Sequence, residues 1–464
     1  MTPRTGMRHT AAALDNAVQS PPWVMDAATR ALAAAFGPPA TRAFNVRLWD
    51  GTLEQGAHPA PPFTLVVRRA GALRRALLPP SELALVQGYL TDDLDIDGDI
   101  EAAGVLGDLV ATQLRSPRAL WQLMRALLQL PSDDLRREAT TVRRASALVA
   151  RVMPHTRGTD AARVRHHYDV GNDFYALWLD QRMLYSCGYF RTGTEGIDAA
   201  QEAKLEHICR KLRLRAGESL LDVGCGWGAL LEYAATHYGV TGAGITLSEP
   251  QAMAARERMA RAGLTDRVRI EVRDYRDLPA EWAGTFHKAV SVGMREHVGA
   301  ARLPGYYSAV NRVLCPGGLF LDHGIGRGGS AEQHGLLEWM KARLWRRDAF
   351  IERYVFPGGE LVTLGALLAM AEQTGFEARD VENLREHYSS TLRCWVERLE
   401  RAHAQAAAIV GEHTYRVWRL YMAATSIGFV SGRLTLTQTL FAKPHRDGSV
   451  SVPRSRSDVY EGAV

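Results

Sequence analysis

The segment SLLDVGCGWG, residues 219–228, combines an apolar run, a carboxylate at Asp222 and glycines at 224, 226 and 228. The apolar run predicts a buried strand, and the glycines predict a loop at its carboxyl end. Glycine lets the backbone approach a ligand at positions where a Cβ atom would obstruct it. Ligands of open α/β sheets sit outside the carboxyl ends of such strands. The pattern therefore predicts a site for a nucleotide-like ligand.

The charge of this loop separates two classes of ligand. Dinucleotide sites use G-x-G-x-x-G and hold a diphosphate at a helix N-terminus, whereas residues 224–228 read G-x-G-x-G and follow an acid. A carboxylate would repel a diphosphate but attract the ammonium group of S-adenosylmethionine. The sequence thus favours a methyltransferase over a dehydrogenase. The predicted cofactor loop consists of Asp222, Gly224, Cys225, Gly226, Trp227 and Gly228.

Two later segments extend the predicted cofactor site. The stretch GITLSEPQ supplies Thr246, Ser248 and Gln251, neutral groups that can hydrogen-bond ribose hydroxyls where many nucleotide folds place an acid. The stretch RDYRDLP supplies Asp274 for the adenine amino group and Tyr275 as a neighbouring ring. Core packing explains Tyr275 equally well.

The elements that must position these residues alternate between apolar runs and helical patterns over residues 200–330. This rhythm predicts a doubly wound α/β sheet. Before it, residues 44–51 and 63–71 show the alternation of strands, and residues 79–110 have helical spacing around an acidic turn. The predicted organisation is a disordered segment 1–20, a small α+β domain 21–130, a charged linker 131–160 and a catalytic domain 161–464.

Composition limits the classes of function. The chain has 464 residues, a net charge of +5 and five cysteines, of which none form a CxxC pair. We therefore expect no disulfide framework and no metal site. No apolar run approaches the ~20 residues that cross a bilayer, and the N-terminal segment lacks the apolar core of a signal peptide. The expected location is the cytoplasm, with peripheral binding to the inner face of the membrane.

Several motifs resemble the cyclopropane-fatty-acyl-phospholipid synthases and the mycolic acid cyclopropane synthases over about residues 160–443. The motifs are HHYDVGNDFYALWLD, YSCGYF, AQEAKLEHICRKL, LLDVGCGWG, GITLSEPQ, SVGMREHVG and HYSSTLRCWVERL. The resemblance implies a class I methyltransferase sheet, which is Rossmann-like, with a helical lid. The N-terminal ~150 residues are similar to the extra domain of the longer bacterial synthases, which the mycolic enzymes lack, so residues 21–130 are expected to form an accessory, lipid-binding-like domain.

The family transfers a methyl group from S-adenosylmethionine to the cis double bond of an acyl chain, and proton loss then closes a cyclopropane ring. The resemblance implies that Tyr185 and Ser186 reach the cofactor carboxylate. It also suggests that an aromatic wall lines an acyl tunnel, because rings tolerate a nearby carbocation without attacking it. The wall would consist of Phe174, Tyr175, Trp178, Tyr185 and Tyr189.

The family uses a bound bicarbonate ion as the base. Its ligands carry over to Cys187, Glu296, His323, Tyr388 and, through the backbone alone, Ile325. Glu296 and His323 would form a coupled pair that relays the proton. Two neighbours depart from the family pattern, which commonly has an aromatic or aliphatic residue at Arg295 and an uncharged residue at Asp322.

The expected partner is unsaturated phospholipid at a membrane surface, with anionic lipid favoured by the positive net charge, and not nucleic acid. A homodimer through the N-terminal domain is a further expectation. Two alternatives stay open for the reaction: a methylene- or methyl-branched acyl product, or another S-adenosylmethionine-dependent methyl transfer. A non-catalytic lipid carrier is the alternative outside enzymes.

Overall fold

The computed structural model describes residues 20–113, 116–132, 170–328 and 360–460, which form two compact units. The first unit contains the described residues up to 132 together with 412–424, and the second contains 170–328, 360–411 and 425–460. The predicted disordered segment 1–20 and linker 131–160 lie almost wholly outside the described residues. The sequence predicted one continuous catalytic domain over residues 161–464. In the structure, residues 412–424 group with the first unit.

The first unit packs helices against a four-stranded sheet in the order β2-β1-β3-β4. Its core includes Ala27, Leu32, Phe44, Leu65 and Leu123. The strands are β1 Asn45–Arg47, β2 Leu53–Glu54, β3 Phe63–Val67 and β4 Leu94–Gly98, and the helices are α1 Pro22–Phe36, α2 Ala72–Leu77, α3 Glu82–Leu90, α4 Val105–Gln113 and α5 Pro117–Gln129.

The acidic turn predicted in the middle of residues 79–110 contains a strand. Helix α3 ends at Leu90, and Asp92 then adopts a positive φ of 58°. Strand β4 follows and pairs antiparallel with β3. Its apolar residues Leu94 and Ile96 alternate with Asp95 and Asp97, a period of two that suits a strand with one buried face.

The second unit is built on a seven-stranded sheet in the order β10-β11-β9-β8-β5-β6-β7. The strands β9, β8, β5, β6 and β7 run parallel, and β11 pairs antiparallel with both β9 and β10. The predicted doubly wound sheet is confirmed. The strands are β5 Ser219–Val223, β6 Thr241–Thr246, β7 Val268–Val272, β8 Phe286–Val292, β9 Leu314–Arg327, β10 Glu377–Asn383 and β11 Leu434–Ala442.

Helices cover both faces of this sheet, as the βαβ alternation requires. The helix that follows β6 begins where Ser248 accepts a hydrogen bond from the N–H of Gln251, with a proline in its first turn. The helices of this unit are α6 Asn172–Ala176, α7 Ile197–Lys211, α8 Ala229–Tyr238, α9 Glu249–Arg261, α10 Arg295–Val298, α11 Leu303–Val313, α12 Leu364–Glu372, α13 Arg385–Arg401, α14 His403–Val410 and α16 Ser457–Tyr460. Helix α15 Glu412–Val430 is divided, since its residues 412–424 group with the first unit.

The sequence predicted no membrane-spanning helix and no metal site, and the described part of the chain can be compared with both expectations. None of its helices has the length and hydropathy that a bilayer span requires. Nor do its histidine, cysteine, aspartate and glutamate side chains form a group of three or more suited to a metal ion.

Candidate active site

A cavity opens at the carboxyl ends of β5 and β6 in the second unit. Its empty space, counted out into the solvent at its open mouth, is about 1000 Å³. Ten of the predicted cofactor residues line it: Tyr185, Ser186, Asp222, Gly224, Cys225, Gly226, Trp227, Thr246, Gln251 and Tyr275.

The glycine loop needs its glycines for two different reasons. Gly224 and Gly228 adopt φ values of +90° and +80°, which side chains with a Cβ rarely take. A Cβ at Gly228 would also lie 3.0 Å from the Cβ of Ala255 in α9, so this glycine permits close helix packing. A Cβ at Gly226 would meet no protein atom within 4 Å, although the residue lines the cavity. Any side chain there would therefore extend toward the ligand.

Asp222 supplies a buried negative charge to the cavity. Its side chain is 3% exposed, and among the described residues no hydrogen bond or ion pair engages its carboxylate. Burial raises the pKa of Asp222 to about 7, against the opposing effect of Lys204. A buried carboxylate gains most from a cationic ligand group, and the ammonium of S-adenosylmethionine fits this requirement.

Lys204 is a cavity residue that the sequence analysis missed. It lies in α7 and is 1% exposed, and its Nζ donates a hydrogen bond to Ser186 Oγ at 2.7 Å. Burial lowers the pKa of Lys204 to about 8. The signal was present in the helical spacing, because Lys204 falls at i+4 and i+7 from the buried Ala200 and Ile197. A lysine on an apolar stripe is unusual enough to mark a site.

Three predicted cofactor residues do not line the cavity. Ser248 caps α9, and Gly228 packs on that helix. The carboxylate of Asp274 accepts hydrogen bonds from the backbone N–H and guanidinium of Arg276, at 2.9 Å and 2.5 Å. Arg273, the residue before Asp274, lines the cavity instead.

Aromatic rings form a continuous wall beside the cavity. Trp227 Nε1 donates to Asn172 Oδ1 at 3.0 Å, which ties the glycine loop to α6. The ring of Tyr175 lies 5.5 Å from those of Trp227 and Tyr185, and Trp395 lies 5.4 Å from Tyr185. Trp178 joins the same cluster, with Phe174 against it. Trp395, which α13 brings in from a distant part of the chain, was not among the residues predicted for this wall.

Tyr189 lies apart from this wall. Its ring stacks between two imidazoles, 4.2 Å from His207 and 4.9 Å from His387. The backbone N–H of the next residue, Phe190, donates to Nδ1 of His387 at 2.9 Å. These contacts fasten the loop after Cys187 to α7 and α13.

A chain of hydrogen bonds connects the elements that carry the predicted bicarbonate ligands. The thiol of Cys187 lies 3.9 Å from the carbonyl oxygen of Leu384, and Tyr388 follows one helical turn later. The N–H of Leu384 donates to the carbonyl of Leu436, which pairs with Ile325 across the sheet. The N–H of Ile325 donates to Glu296 Oε1 at 2.6 Å. The backbone N–H of Ile325 is thus already engaged by Glu296.

Glu296 and His323 present complementary polar atoms. Glu296 Oε2 and His323 Nε2 are buried and have no hydrogen-bond partner within the described residues. Gln438 Nε2 lies 3.1 Å from His323 Nδ1, and with this amide nitrogen as the donor the imidazole proton lies on Nε2. Burial raises the pKa of Glu296 and lowers that of His323 strongly. An unpaired carboxylate oxygen and an imidazole N–H can each hydrogen-bond to bicarbonate, which has acceptor oxygens and one hydroxyl donor.

Cys187 and Tyr388 have different environments. Burial raises the pKa of the Cys187 thiol well above its ordinary value, and the thiol donates to the carbonyl of Gly188 at 3.1 Å. A neutral thiol is a poor nucleophile. Tyr388 is 9% exposed and packs against the ring of Phe429 at 4.8 Å.

The two residues that depart from the family pattern form an ion pair. Arg295 Nη1 donates to Asp322 Oδ2 at 3.2 Å, and the side chains are 3% and 1% exposed. The guanidinium also donates to the carbonyl of Gly324 and to Thr437 Oγ1, and Tyr307 donates to the same oxygen of Asp322 at 2.8 Å. The two departures are therefore one compensated feature, located next to Glu296.

Comparison with known proteins places this site in a family. Residues 155–439 match the family described as mycolic acid cyclopropane synthetase. A probable fatty acid methyltransferase from Pseudomonas putida is 40% identical over 91% of this chain and 98% of its own length. The cyclopropane-fatty-acyl-phospholipid synthase of Escherichia coli strain K12 is 35% identical over 61% of this chain and 68% of its own.

Solved structures agree with this assignment. The cyclopropane synthase MmaA2 from Mycobacterium tuberculosis superposes with a TM-score of 0.57 at 29% identity, over 63% of this chain and 99% of its own. The mycolic acid cyclopropane synthase CmaA1 in complex with SAH and CTAB gives the same TM-score and coverage at 31% identity. With its methyltransferase sheet and the cavity at its carboxyl edge, the chain belongs to the mycolic acid cyclopropane synthetase family of S-adenosylmethionine-dependent methyltransferases.

Proposed function

We propose that the protein adds a methylene group from S-adenosylmethionine across the cis double bond of an unsaturated phospholipid acyl chain, forming a cyclopropane ring. The observation that carries this proposal is the buried aromatic wall from Trp227 to Trp395, which adjoins the cofactor cavity. The relatives named as cyclopropane synthases support the same reaction.

The chemistry explains why the chain needs such a wall. The cofactor supplies an electrophilic methyl group, and the alkene is a weak nucleophile with no proton to remove first. The protein must therefore position the double bond rather than activate it. Methyl transfer leaves a carbocation on the acyl chain, which water would capture, so the site must be dry. The buried rings of Tyr175, Trp178 and Trp395 exclude water and present π faces that stabilise a cation.

Ring closure requires that the added methyl group lose one proton. We propose that His323 Nε2–H and the Glu296 carboxylate would hold a bicarbonate ion, which would supply the base for this proton. Glu296 and His323 offer the acceptor and donor that remain unsatisfied within the described residues. Tyr388 and Cys187 would complete the ligand set. The net change in the lipid is the gain of one CH₂.

Two observations support an alternative product. The Pseudomonas putida relative is named a probable fatty acid methyltransferase, and the Arg295–Asp322 pair places two charges beside Glu296. The alternative is therefore that a hydride shift first moves the positive charge to the methyl-bearing carbon. Proton loss from the methyl group then gives a methylene-branched chain for later reduction to a methyl branch.

One experiment tests the proposal and separates the two products. The purified protein is incubated with S-adenosylmethionine carrying a labelled methyl group and with monounsaturated phospholipid vesicles. Mass spectrometry should show a gain of one CH₂ per acyl chain, and proton NMR should show cyclopropane protons upfield of the chain methylenes. Vinylidene signals instead would establish the branched product. Unchanged lipid, under conditions where the cofactor binds, would refute both.

We further propose that helix α5 docks the protein on anionic phospholipid at the inner face of the membrane. Trp121 and Leu128 are 61% and 58% exposed on one side of this helix. The guanidinium of Arg125 lies 5.3 Å from the Trp121 ring on the same side. Aromatic and aliphatic side chains next to arginine suit the interface between headgroups and acyl chains.

Vesicle co-sedimentation tests this docking surface. Binding should be stronger to phosphatidylglycerol vesicles than to zwitterionic ones, and salt should weaken it, because counterions screen the arginines. Trp121→Ala should weaken binding, whereas Met253→Ala, which removes an exposed apolar side chain of the second unit, should not. Equal losses in both variants would exclude α5 as the docking surface.

A further inference from the structure

Lys204 is a buried cation that lacks an ion-pair partner in the described structure. Its side chain is 1% exposed and lines the cofactor cavity, and its Nζ donates a hydrogen bond to the neutral Ser186 hydroxyl at 2.7 Å. Within the part of the chain that the structure describes, no carboxylate oxygen lies within the 4.0 Å of an ion pair from its Nζ. A buried ammonium group without a counterion is strongly unfavourable.

The nearby acids do not satisfy this charge directly. Asp180 accepts hydrogen bonds from the backbone N–H groups of Arg182 and Leu184, at 2.9 Å and 2.7 Å, and so closes its own turn. Asp222 lines the same cavity as Lys204 but is not in direct contact with it. Arg273, the other cation that lines the cavity, is partly exposed and pairs with Glu271 at 2.6 Å. Among the described residues, Lys204 and Asp222 are therefore the buried cation and the buried anion that the cavity offers to a ligand.

The surrounding contacts hold this arrangement in place. Gln201, three residues before Lys204 on α7, donates from Nε2 to the carbonyl of Ser186 at 2.8 Å. The same helix thus fixes the backbone of Ser186 with one side chain and its hydroxyl with another. Because Lys204 and Gln201 share a face of α7, the position of the ammonium group is set by the helix and not by a flexible loop.

We infer that Lys204 binds the carboxylate of the cofactor's amino-acid moiety, opposite Asp222, which binds its ammonium group. An α-amino acid carries both charges on one carbon and so matches a cavity with one buried charge of each sign. This inference rests on S-adenosylmethionine being the cofactor. It makes Lys204 a specificity residue, which selects ligands with an intact amino-acid group over nucleosides that lack it.

Calorimetry with two ligands tests the inference. S-adenosylhomocysteine has the amino-acid group, and 5′-methylthioadenosine has the same nucleoside and sulfur without it. Lys204→Met keeps the length and apolar stem of the side chain while removing the charge. We expect the affinity for S-adenosylhomocysteine to fall by roughly 10- to 100-fold, the range for a lost hydrogen bond to a charged group. The affinity for 5′-methylthioadenosine should stay within about twofold of wild type.

Lys211→Met is the matched control. Lys211 is equally buried on the same helix, but it pairs with Asp380 and Glu382 and does not line the cavity. Its loss should leave the ratio of the two affinities unchanged. If Lys204→Met does not fold, Lys204→Gln and the wild-type preference for S-adenosylhomocysteine over its decarboxylated form provide the same comparison.

The outcomes separate this inference from the proposed function. Equal losses for both ligands in Lys204→Met, or no loss, would overturn the role of Lys204 while leaving the cofactor assignment intact. A wild-type protein that bound neither ligand would overturn the cofactor assignment itself. A selective loss for S-adenosylhomocysteine supports the inference whichever lipid product is formed.

Discussion

The pairing of Arg295 with Asp322 leads to a double-mutant prediction. Asp322→Ala removes the carboxylate that faces the guanidinium at 3.2 Å, in a position where the side chains are 3% and 1% exposed. Arg295 keeps its contacts with Thr437 and the backbone of Gly324 but has no counterion. Arg295→Leu leaves the opposite charge buried. Each single variant should therefore be strongly destabilised.

The magnitude follows from the burial of both partners. Removing one member of a buried pair costs about 3–5 kcal/mol, because the other charge stays in a poorly solvated site. Each kcal/mol lowers the melting temperature by about 2–4 °C in a unit of roughly this size. The single variants should therefore melt about 6–20 °C below wild type. Replacing both charges by apolar groups removes the uncompensated charge, and such replacements are often nearly neutral.

Thermal unfolding followed by circular dichroism measures all four proteins. The double variant Arg295→Leu/Asp322→Ala should melt close to wild type and well above both single variants. The resulting coupling energy should be on the order of several kcal/mol, toward or above the upper end for residues in contact. Additive losses, with the double variant less stable than either single variant, would refute the view that the two family departures compensate one another. Lipid products of the stable double variant would then show whether the pair influences the fate of the carbocation.

Three further predictions concern the site itself. Glu296→Gln keeps the shape of the carboxylate and should lower turnover by roughly a hundredfold or more. Calorimetry should find the cofactor affinity of this variant near that of wild type. Normal turnover would show that Glu296 does not belong to the base site. Gly226→Val should abolish binding of S-adenosylhomocysteine because the added side chain enters the cavity. The control is Gly193→Val, which is also at a positive φ with open space around it and should bind the ligand normally. Equal affinity in the two variants would place the cofactor elsewhere. The pKa of Asp222 is raised by burial to about 7, so acidification through that range protonates the group that attracts the ammonium. Affinity should then be weaker at about pH 5.5 than at about pH 7.5, and an Asp222→Asn variant with the same pH dependence would contradict this origin.

Local patterns were sufficient for much of the second unit. An apolar run that ends in closely spaced glycines has few structural solutions, because positive φ at Gly224 and Gly228 requires residues without a Cβ. Strand, loop and helix were therefore predicted correctly around Asp222. The alternating strands and helices in turn predicted the doubly wound sheet, since the handedness of βαβ units leaves few topologies.

Local patterns failed for segments that become strands only through pairing with a distant strand. The acidic segment Leu94–Gly98 was predicted as a turn between two helical stretches, and pairing with β3 makes it a strand. Strand β10 was missed for a similar reason. Its sequence EARDVEN is polar and has no apolar run, and only hydrogen bonds to β11 make it a strand.

The sequence by itself determined which residue types were available to the site and which short segments carry them. Tertiary structure alone decided which of them meet. Asp322 lies 27 residues from Arg295 in the sequence, where the two residues are separate departures from the family pattern. The sheet brings their side chains together. Tyr189 stacks between two histidines instead of joining the aromatic wall, and Trp395 takes a place in that wall. The physical reason is that burial and pairing depend on long-range packing, which places Lys204 and Asp222 in one cavity although neither residue has a local partner that would reveal it.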